Sequence, residues 1–231
     1  MCLSFPTGEK TSNVRREVLT PRPEEEPRGS ENRLGILMER IINSDYISME
    51  ELVRDCASYS IDEIHAFLDR VIEAWKAHEL VPAAMYAVLK FIYMHLNQPK
   101  MEIIFKNPTP IPICYFSGFL ISSASLLHSY LKTLSFAVAL FPLNETSRYL
   151  KAFVEKKKPP VVLFTLSQFL HVDPLKQLLP YLHERNLNIL AGGIPFERDE
   201  SLKRELSACI FPRDLAELAV LLENLTEEEL T

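Results

Sequence analysis

The sequence has few cysteines, and no two of them are closely spaced. The four are Cys2, Cys56, Cys114 and Cys209, and none forms a Cys-x-x-Cys motif with another. Structural zinc sites and disulfide-rich scaffolds both need cysteines at short, regular spacings. This spacing excludes a zinc ribbon and a disulfide framework, and it favours a protein whose thiols stay reduced.

Long apolar runs are missing as well. Residues 1–20 lack the apolar core of about 7–15 residues that a secretory signal peptide needs. No stretch reaches the roughly 18 consecutive apolar residues of a membrane span. Together with the reduced thiols, these absences predict a cytoplasmic protein without a membrane partner.

Excess positive charge is also absent. The formal net charge is -6 at pH 7, and the pI is about 5.6. Binding to nucleic acid requires a basic face that neutralises phosphates. The short run Lys156-Lys157-Lys158 is typical of a solvated loop, so we predict no direct nucleic-acid partner.

The sequence shows no recognisable catalytic set. It has no nucleophile elbow, no paired carboxylates in one loop and no Cys/His pair in a local motif. Ser122 and Ser123 have no evident base. A dinucleotide fingerprint would need Gly-x-Gly-x-x-Gly after the first predicted strand, where only Gly118 occurs. We therefore predict that the protein is not an enzyme.

Composition and periodicity divide the chain into three parts. Residues 1–30 combine several prolines with polar residues and have no apolar period, which predicts a disordered tail. Residues 31–98 are predicted to form a helical bundle. Residues 99–226 are predicted to form an α/β domain.

Helix signals recur through the second part. Apolar residues repeat at spacings of three and four over Leu34–Ile42. Ser48 and Ser60 each begin a Ser-x-x-Glu capping box, and Pro82 suits the first turn of a further helix. Four helices with short links predict a small four-helix bundle.

In the third part, apolar strand-like runs alternate with helical patterns, which predicts a parallel sheet with helices on both faces. The strand-like runs are Met101–Phe105, Ile111–Phe116, Phe136–Phe141, Val161–Thr165, Leu187–Leu190 and Cys209–Phe211. The helical patterns cover about 120–133, 144–156, 174–185 and 213–224. Asp173 is expected to cap the third of these helices.

Two segments carry a family resemblance. Leu131–Phe136 leads into the second predicted strand, and Leu190–Pro195 reads Leu-Ala-Gly-Gly-Ile-Pro. With the preceding bundle, this order resembles the cobalamin-binding modules of methionine synthase, corrinoid methyl carriers and light-dependent MerR-type repressors, over about residues 33–225. The resemblance implies a flavodoxin-like, Rossmann-like sheet with a ligand crevice at the carboxyl ends of its strands.

The loop after the first predicted strand departs from that family. The family has Asp-x-His-x-x-Gly there, and counting back from Phe136 places Gly118, Leu120 and Ser123 at the Asp, His and Gly positions. In the family the histidine ligates cobalt and the aspartate fixes its tautomer. Leu120 can do neither, so we expect cobalamin ligation to be lost.

The resemblance also implies which residues line the crevice. Thr165-Leu166-Ser167 corresponds to the family's Ser-x-Leu loop. In the photoreceptor repressors a tryptophan and a following Glu-His cover the corrin, whereas Trp75 here is followed at that distance by Met85-Tyr86. For these three residues, core packing is the alternative interpretation. The predicted crevice residues are Trp75, Met85, Tyr86, Ser117, Gly118, Leu120, Ser123, Thr165, Ser167, Gly192 and Gly193.

Two histidines leave open a hypothesis about a different ligand, haem. His128 lies on the helix after the altered loop and His171 in the loop after the third strand. One hypothesis is axial ligation of haem by either residue, and the alternative is an ordinary structural histidine satisfied by a neighbour.

The leading functional hypothesis is a non-catalytic sensor or regulatory module that has lost cobalamin ligation. It would act through another ligand or through contact with a protein, for example a transcription regulator. The alternatives are a true tetrapyrrole binder (base-off cobalamin or haem) and an accessory subunit of a corrinoid methyltransferase. The sequence leaves the ligand, the partner and a homo-oligomeric state open.

Overall fold

The computed structural model describes residues 35–39, 59–98, 101–116, 122–143 and 147–227. The predicted tail and the capping box at Ser48 lie outside these residues, as do Ser117, Gly118 and Leu120. No helix in the described ranges is long and apolar enough to cross a membrane.

Helices and strands alternate after a helical amino-terminal part, in which residues 35–39 are also helical. The helices are α1 (Ile61–Lys76), α2 (Pro82–Leu96), α3 (Ser122–Thr133), α4 (Arg148–Lys157), α5 (Val172–His183), α6 (Ile194–Arg198), α7 (Glu200–Glu205) and α8 (Leu215–Glu227). The strands are β1 (Ile111–Phe116), β2 (Val138–Leu143), β3 (Val161–Leu166) and β4 (Asn188–Gly193), and a 3-10 helix spans Phe169–His171.

Helix α1 begins as its sequence predicts. The Ser60 hydroxyl accepts from the Glu63 N–H at 3.3 Å, and the Glu63 carboxylate accepts from the Ser60 N–H at 2.8 Å. This reciprocal pair confirms the predicted capping box. Ile64, Phe67 and Leu68 lie fully buried on its apolar face, so the helix is fixed by packing as well as by its cap.

Helix α2 has Pro82 in its first turn, where a missing N–H costs nothing. Both α1 and α2 pack on α3. The helical part and the first helix of the α/β part therefore share one hydrophobic core.

The sheet is parallel, with strand order β2-β1-β3-β4. Residue Ile113 pairs with Leu163 across β1 and β3, and Thr165 pairs with Gly192 across β3 and β4. The order reverses between β1 and β3, as in flavodoxin-like sheets. The predicted α/β fold with a parallel sheet is confirmed.

Alternate residues of each strand enter two different cores. Along β3, Val161 and Leu163 face the core formed with α1, α2, α3 and α8. Val162 and Phe164 face the core formed with α4, α5 and α6. Helices thus cover both faces of the sheet.

Two of the predicted strands need correction. Met101–Phe105 is not a strand, and Ile104 within it is 92% exposed. An apolar run forms a strand only where a neighbouring strand is available to pair with its backbone. Cys209–Phe211 is reduced to a single bridge between Ile210 and Leu190, which extends the sheet beyond β4.

Two boundaries also differ from the sequence prediction. Strand β2 begins at Val138, because the Phe136 N–H donates to the Leu131 carbonyl at 3.0 Å and so still closes α3. Asp173 does not cap α5: the helix begins at Val172, and Asp173 lies in its first turn.

Candidate functional site

A cavity of about 610 Å³ opens at the carboxyl ends of β3 and β4. Its volume falls within the roughly 300–1,000 Å³ of small-molecule pockets. Helices α1, α3 and α8 form the surrounding walls. The cavity therefore lies between the helical part of the chain and the sheet, where open α/β sheets bind ligands.

Helix α1 supplies the charged wall. Asp69, Ile72, Glu73 and Lys76 line the cavity at positions i, i+3, i+4 and i+7, which share one helix face. Trp75 also lines it and is 41% exposed. The wall places two carboxylates, one ammonium group and an indole at the mouth.

Helix α3 supplies a mainly apolar wall with one hydroxyl. Leu126, Leu127 and Tyr130 line the cavity, and Tyr130 is only 8% exposed. Burial raises the pKa of Tyr130, and the negative charges of Asp69 and Asp214 raise it further. Within the described part of the chain, the Tyr130 hydroxyl has no hydrogen-bond partner.

The strand ends form the floor, where two adjacent glycines serve different purposes. Gly193 has φ +115°, and a Cβ there would collide with the Leu166 carbonyl oxygen. At Gly192 a Cβ would meet no atom within 4 Å. Gly193 is thus required by the backbone, whereas Gly192 leaves open space on the cavity side.

Five of the predicted crevice residues meet at this cavity: Trp75, Ser123, Thr165, Gly192 and Gly193. Three others do not line it. Met85 is buried at 4% exposure within the core that α2 shares with α1, Tyr86 faces a different cavity, and Ser167 is half-buried just beyond β3.

The second cavity, of about 350 Å³, lies beside α2 and α3 near β1 and β2. Its lining is rich in tyrosine and includes one ammonium group. The lining residues are Tyr86, Leu89, Lys90, Tyr93, Met94, Tyr115, Ser125 and Leu140. Tyr86 therefore borders a separate space rather than the predicted crevice.

Sequence reasoning missed the charged lining of the larger cavity. Asp69 and Glu73 have the spacing of an ordinary solvated helix face, and Asp214 lies far away in sequence, at the start of α8. Tyr130 stands in a helical pattern that predicts burial alone. The only available signal was the i, i+3, i+4 spacing on α1, which many exposed helices share.

Neither candidate haem ligand lines this cavity. His128 packs on Tyr93 with ring centroids 4.9 Å apart. Burial, and secondarily the charge of Lys132, lowers the pKa of His128 to about 4. His171 stacks on Phe116, and burial lowers its pKa as well.

The described lining of the larger cavity offers no imidazole to a cobalt centre. Among the described residues, no histidine lines it, and no group of three or more His, Cys, Asp or Glu could hold a metal ion. The lining instead combines apolar side chains, hydroxyls and exposed carboxylates. That composition fits an organic ligand bound without coordination.

Comparison with known sequences finds no matching family model and no matching curated protein. Comparison with solved structures finds a cobalamin-binding protein from Desulfitobacterium hafniense DCB-2, with TM-score 0.52 and 15% identity, covering 85% of this chain and 94% of that one. It also finds a chain of the methanol:cobalamin methyltransferase complex MtaBC from Methanosarcina barkeri, with TM-score 0.53 and 12% identity, covering 85% and 80%. The chain therefore has the fold of the cobalamin-binding proteins.

Proposed function

We propose that the protein is a non-catalytic, ligand-responsive regulatory module, which holds an organic molecule in the larger cavity instead of ligating cobalt. One observation carries this proposal: the cavity is lined jointly by α1 and by the carboxyl ends of β3 and β4. A ligand there contacts both parts of the chain. Its binding therefore stabilises the arrangement in which α1 packs against the carboxyl ends of β3 and β4.

The absence of a cobalt ligand is supported by residue type. The segment Ser117–Ile121 contains no histidine in the sequence, and no imidazole appears in the described lining of the cavity. The structurally similar protein from Desulfitobacterium hafniense DCB-2 is a cobalamin-binding protein. We propose that this chain keeps the crevice of that fold and uses it for a different molecule.

The output of the module is proposed to be contact with another protein. The net charge of -6 opposes direct binding to DNA. One structural neighbour is a chain of a protein complex, which supports assembly as a use of this fold. We propose a separate transcription regulator as the partner, since the helical part and the sheet would present a changed surface when a ligand joins them.

Analysis of the protein purified from its native host tests this function. We expect a colourless protein whose native mass spectrum contains an organic molecule. The variant Gly192→Leu fills the open space and should lose that molecule. The control Ala77→Leu introduces the same side chain at the exposed end of α1 and should retain it. A corrin or haem absorption band in the purified protein would contradict the proposal.

A second candidate is tetrapyrrole binding through His171. One observation favours it: the Nδ1 atom of His171 is buried at the carboxyl edge of the sheet, without a hydrogen-bond partner among the described residues. A free imidazole nitrogen can serve as an axial ligand. In that case the protein would show the absorption band of a bound tetrapyrrole, and His171→Leu would abolish it.

A further inference from the structure

The charges at the mouth of the larger cavity are unbalanced. Four carboxylates and two basic groups line it, and all six side chains are exposed enough to meet a ligand from solvent. The carboxylates belong to Asp69, Glu73, Glu197 and Asp214, and the basic groups to Lys76 and Arg213. The mouth is therefore acidic at neutral pH.

One of the two basic groups is already engaged by the protein. The Arg213 Nε donates to the Glu217 carboxylate at 3.1 Å, and Glu217 does not line the cavity. Lys76 lies in the last turn of α1, where the carbonyl end of the helix attracts a cation. Arg213 would have to give up its bond to Glu217 to receive an anionic ligand, and Lys76 alone does not balance the four carboxylates.

Two of the carboxylates are not engaged in this way. Within the described residues, the side chains of Glu73 and Glu197 make no hydrogen bond and no ion pair. They line the cavity from two different helices, α1 and α6. A cation entering the cavity is attracted by both carboxylates.

Deeper in the cavity, the hydroxyl of a largely buried tyrosine also lacks a partner. The Tyr130 side chain is more than nine-tenths buried and lines the cavity, and its hydroxyl makes no hydrogen bond in the described part of the chain. Burial raises the pKa of Tyr130 most, and the nearby charges of Asp69 and Asp214 raise it further. A hydroxyl oxygen in that negative field is suited to accept a hydrogen bond from an ammonium group.

The rest of the lining is hydrocarbon. Leu127, Leu163, Leu190 and Leu218 are buried and border the same space. Burying apolar ligand surface against them removes that surface from water and so favours binding. The aromatic rings of Trp75 and Tyr130 add faces that attract cations.

From this arrangement, and resting on the proposed function of the cavity, we infer that its ligand is an organic cation: an ammonium group joined to an apolar body. The ammonium group lies near Tyr130 and the acidic mouth, and the apolar body packs on the leucine floor. Anionic compounds of the same shape bind more weakly, because the carboxylates at the mouth outnumber the basic groups and repel them.

A matched pair of probes tests this inference on the full-length protein. Phenylbutylamine and phenylbutyrate share an apolar body and carry opposite charges. Their affinities are measured by calorimetry or ligand-observed NMR at low salt, where exposed charges are least screened. We expect the amine to bind and the carboxylate to bind at least about tenfold more weakly, as expected for the interaction with a few exposed charges.

Three variants test where the amine binds and which side chains attract it. The double variant Glu73→Gln/Glu197→Gln should weaken amine binding by about threefold to tenfold, since exposed ion pairs contribute modestly. The control Glu102→Gln removes an exposed carboxylate that precedes β1 and lies outside the cavity lining, and it should leave the affinity unchanged. Gly192→Leu should abolish binding.

The outcomes separate this inference from the proposed function. Equal binding of both probes, blocked by Gly192→Leu, would refute charge selection and leave the cavity as a ligand site. Tighter binding of the carboxylate, no binding of the amine, or binding that persists in Gly192→Leu would overturn the inference. A bound organic anion in the protein from its native host would overturn it too, while supporting the proposed function.

Discussion

The imidazole of His171 stacks on the ring of Phe116, with ring centroids 4.7 Å apart and planes inclined by 15°. Phe116 is the last residue of β1, and His171 closes the 3-10 helix that follows β3. The stack therefore joins the ends of two neighbouring strands at the point where the strand order reverses. Under the proposed function, this stack holds the carboxyl ends of β1 and β3 in position, and His171 binds no ligand.

Replacing His171 tests that role. We expect His171→Leu to lower the free energy of unfolding by about 1 kcal/mol, the usual contribution of an aromatic pair, and to leave the affinity for phenylbutylamine unchanged. Urea denaturation measures the first quantity and calorimetry the second. His171→Phe keeps a ring against Phe116 and should restore most of the stability. Loss of a bound chromophore in His171→Leu would instead support the tetrapyrrole alternative.

The buried imidazole of His128 predicts a pH-dependent stability. Its pKa falls from 6.5 to about 4 in the folded protein, so between those values the unfolded chain binds the extra proton. Stability is therefore fully present above about pH 6.5 and is lost as the pH falls toward 4, by about 3 kcal/mol from this residue. Urea denaturation at several pH values measures the loss.

The variant His128→Leu isolates this contribution. His95 and His171 also have lowered pKa values because of burial, so the wild-type protein should lose further stability in acid. In His128→Leu the acid-induced loss should shrink by about 3 kcal/mol. An unchanged loss would mean that His128 is protonated in the folded state as readily as in the unfolded one.

The adjacent residues Gly192 and Gly193 predict responses of very different size to the same substitution. Gly193→Ala should destabilise the protein by about 2 to 4 kcal/mol, because the backbone has a positive φ and the new Cβ would strike the Leu166 carbonyl. Gly192→Ala should change stability by less than about 0.5 kcal/mol. Thermal or urea unfolding compares them. Equal effects would show that the open space beside Gly192 is filled in solution.

The cap of α1 gives a local stability test. Ser60→Ala removes the hydroxyl that accepts from the Glu63 N–H, and we expect a loss of about 1 kcal/mol in the free energy of unfolding. Ser207→Ala, at an exposed position after α7, serves as the control and should have no measurable effect. A loss of similar size in both variants would indicate that the cap contributes nothing specific.

Much of the fold follows from local sequence. Strand β1 begins and ends as predicted, and the capping box at Ser60 marks the start of α1 to the residue. Both are short-range signals, set by an apolar run and by one side chain and one backbone group. The start of β2 was predicted less well, because the Phe136 N–H still closes α3 and the Asn107 side-chain oxygen accepts from the Ala137 N–H at 2.7 Å. That long-range bond has no sequence signature.

The candidate site was only partly predictable. Thr165 and Gly192 were found because the carboxyl ends of parallel strands meet at one edge. Asp69, Tyr130 and Asp214 were not, because their meeting depends on how α1 packs on α3 and on where α8 begins. The sequence of a helix does not indicate which residues of other helices its charged side chains will face. That depends on how the helices pack.

Trp75 is the only tryptophan in the chain, and its indole lines the larger cavity while remaining 41% exposed. The intrinsic fluorescence of the protein at wavelengths longer than the tyrosine emission therefore comes from one residue, at the mouth of the cavity. Entry of a molecule that emits no light of its own should shift or quench that emission, because it replaces water beside the indole. Occupancy of the cavity can thus be followed in the unlabelled protein, including during screens of compounds whose chemistry is unknown.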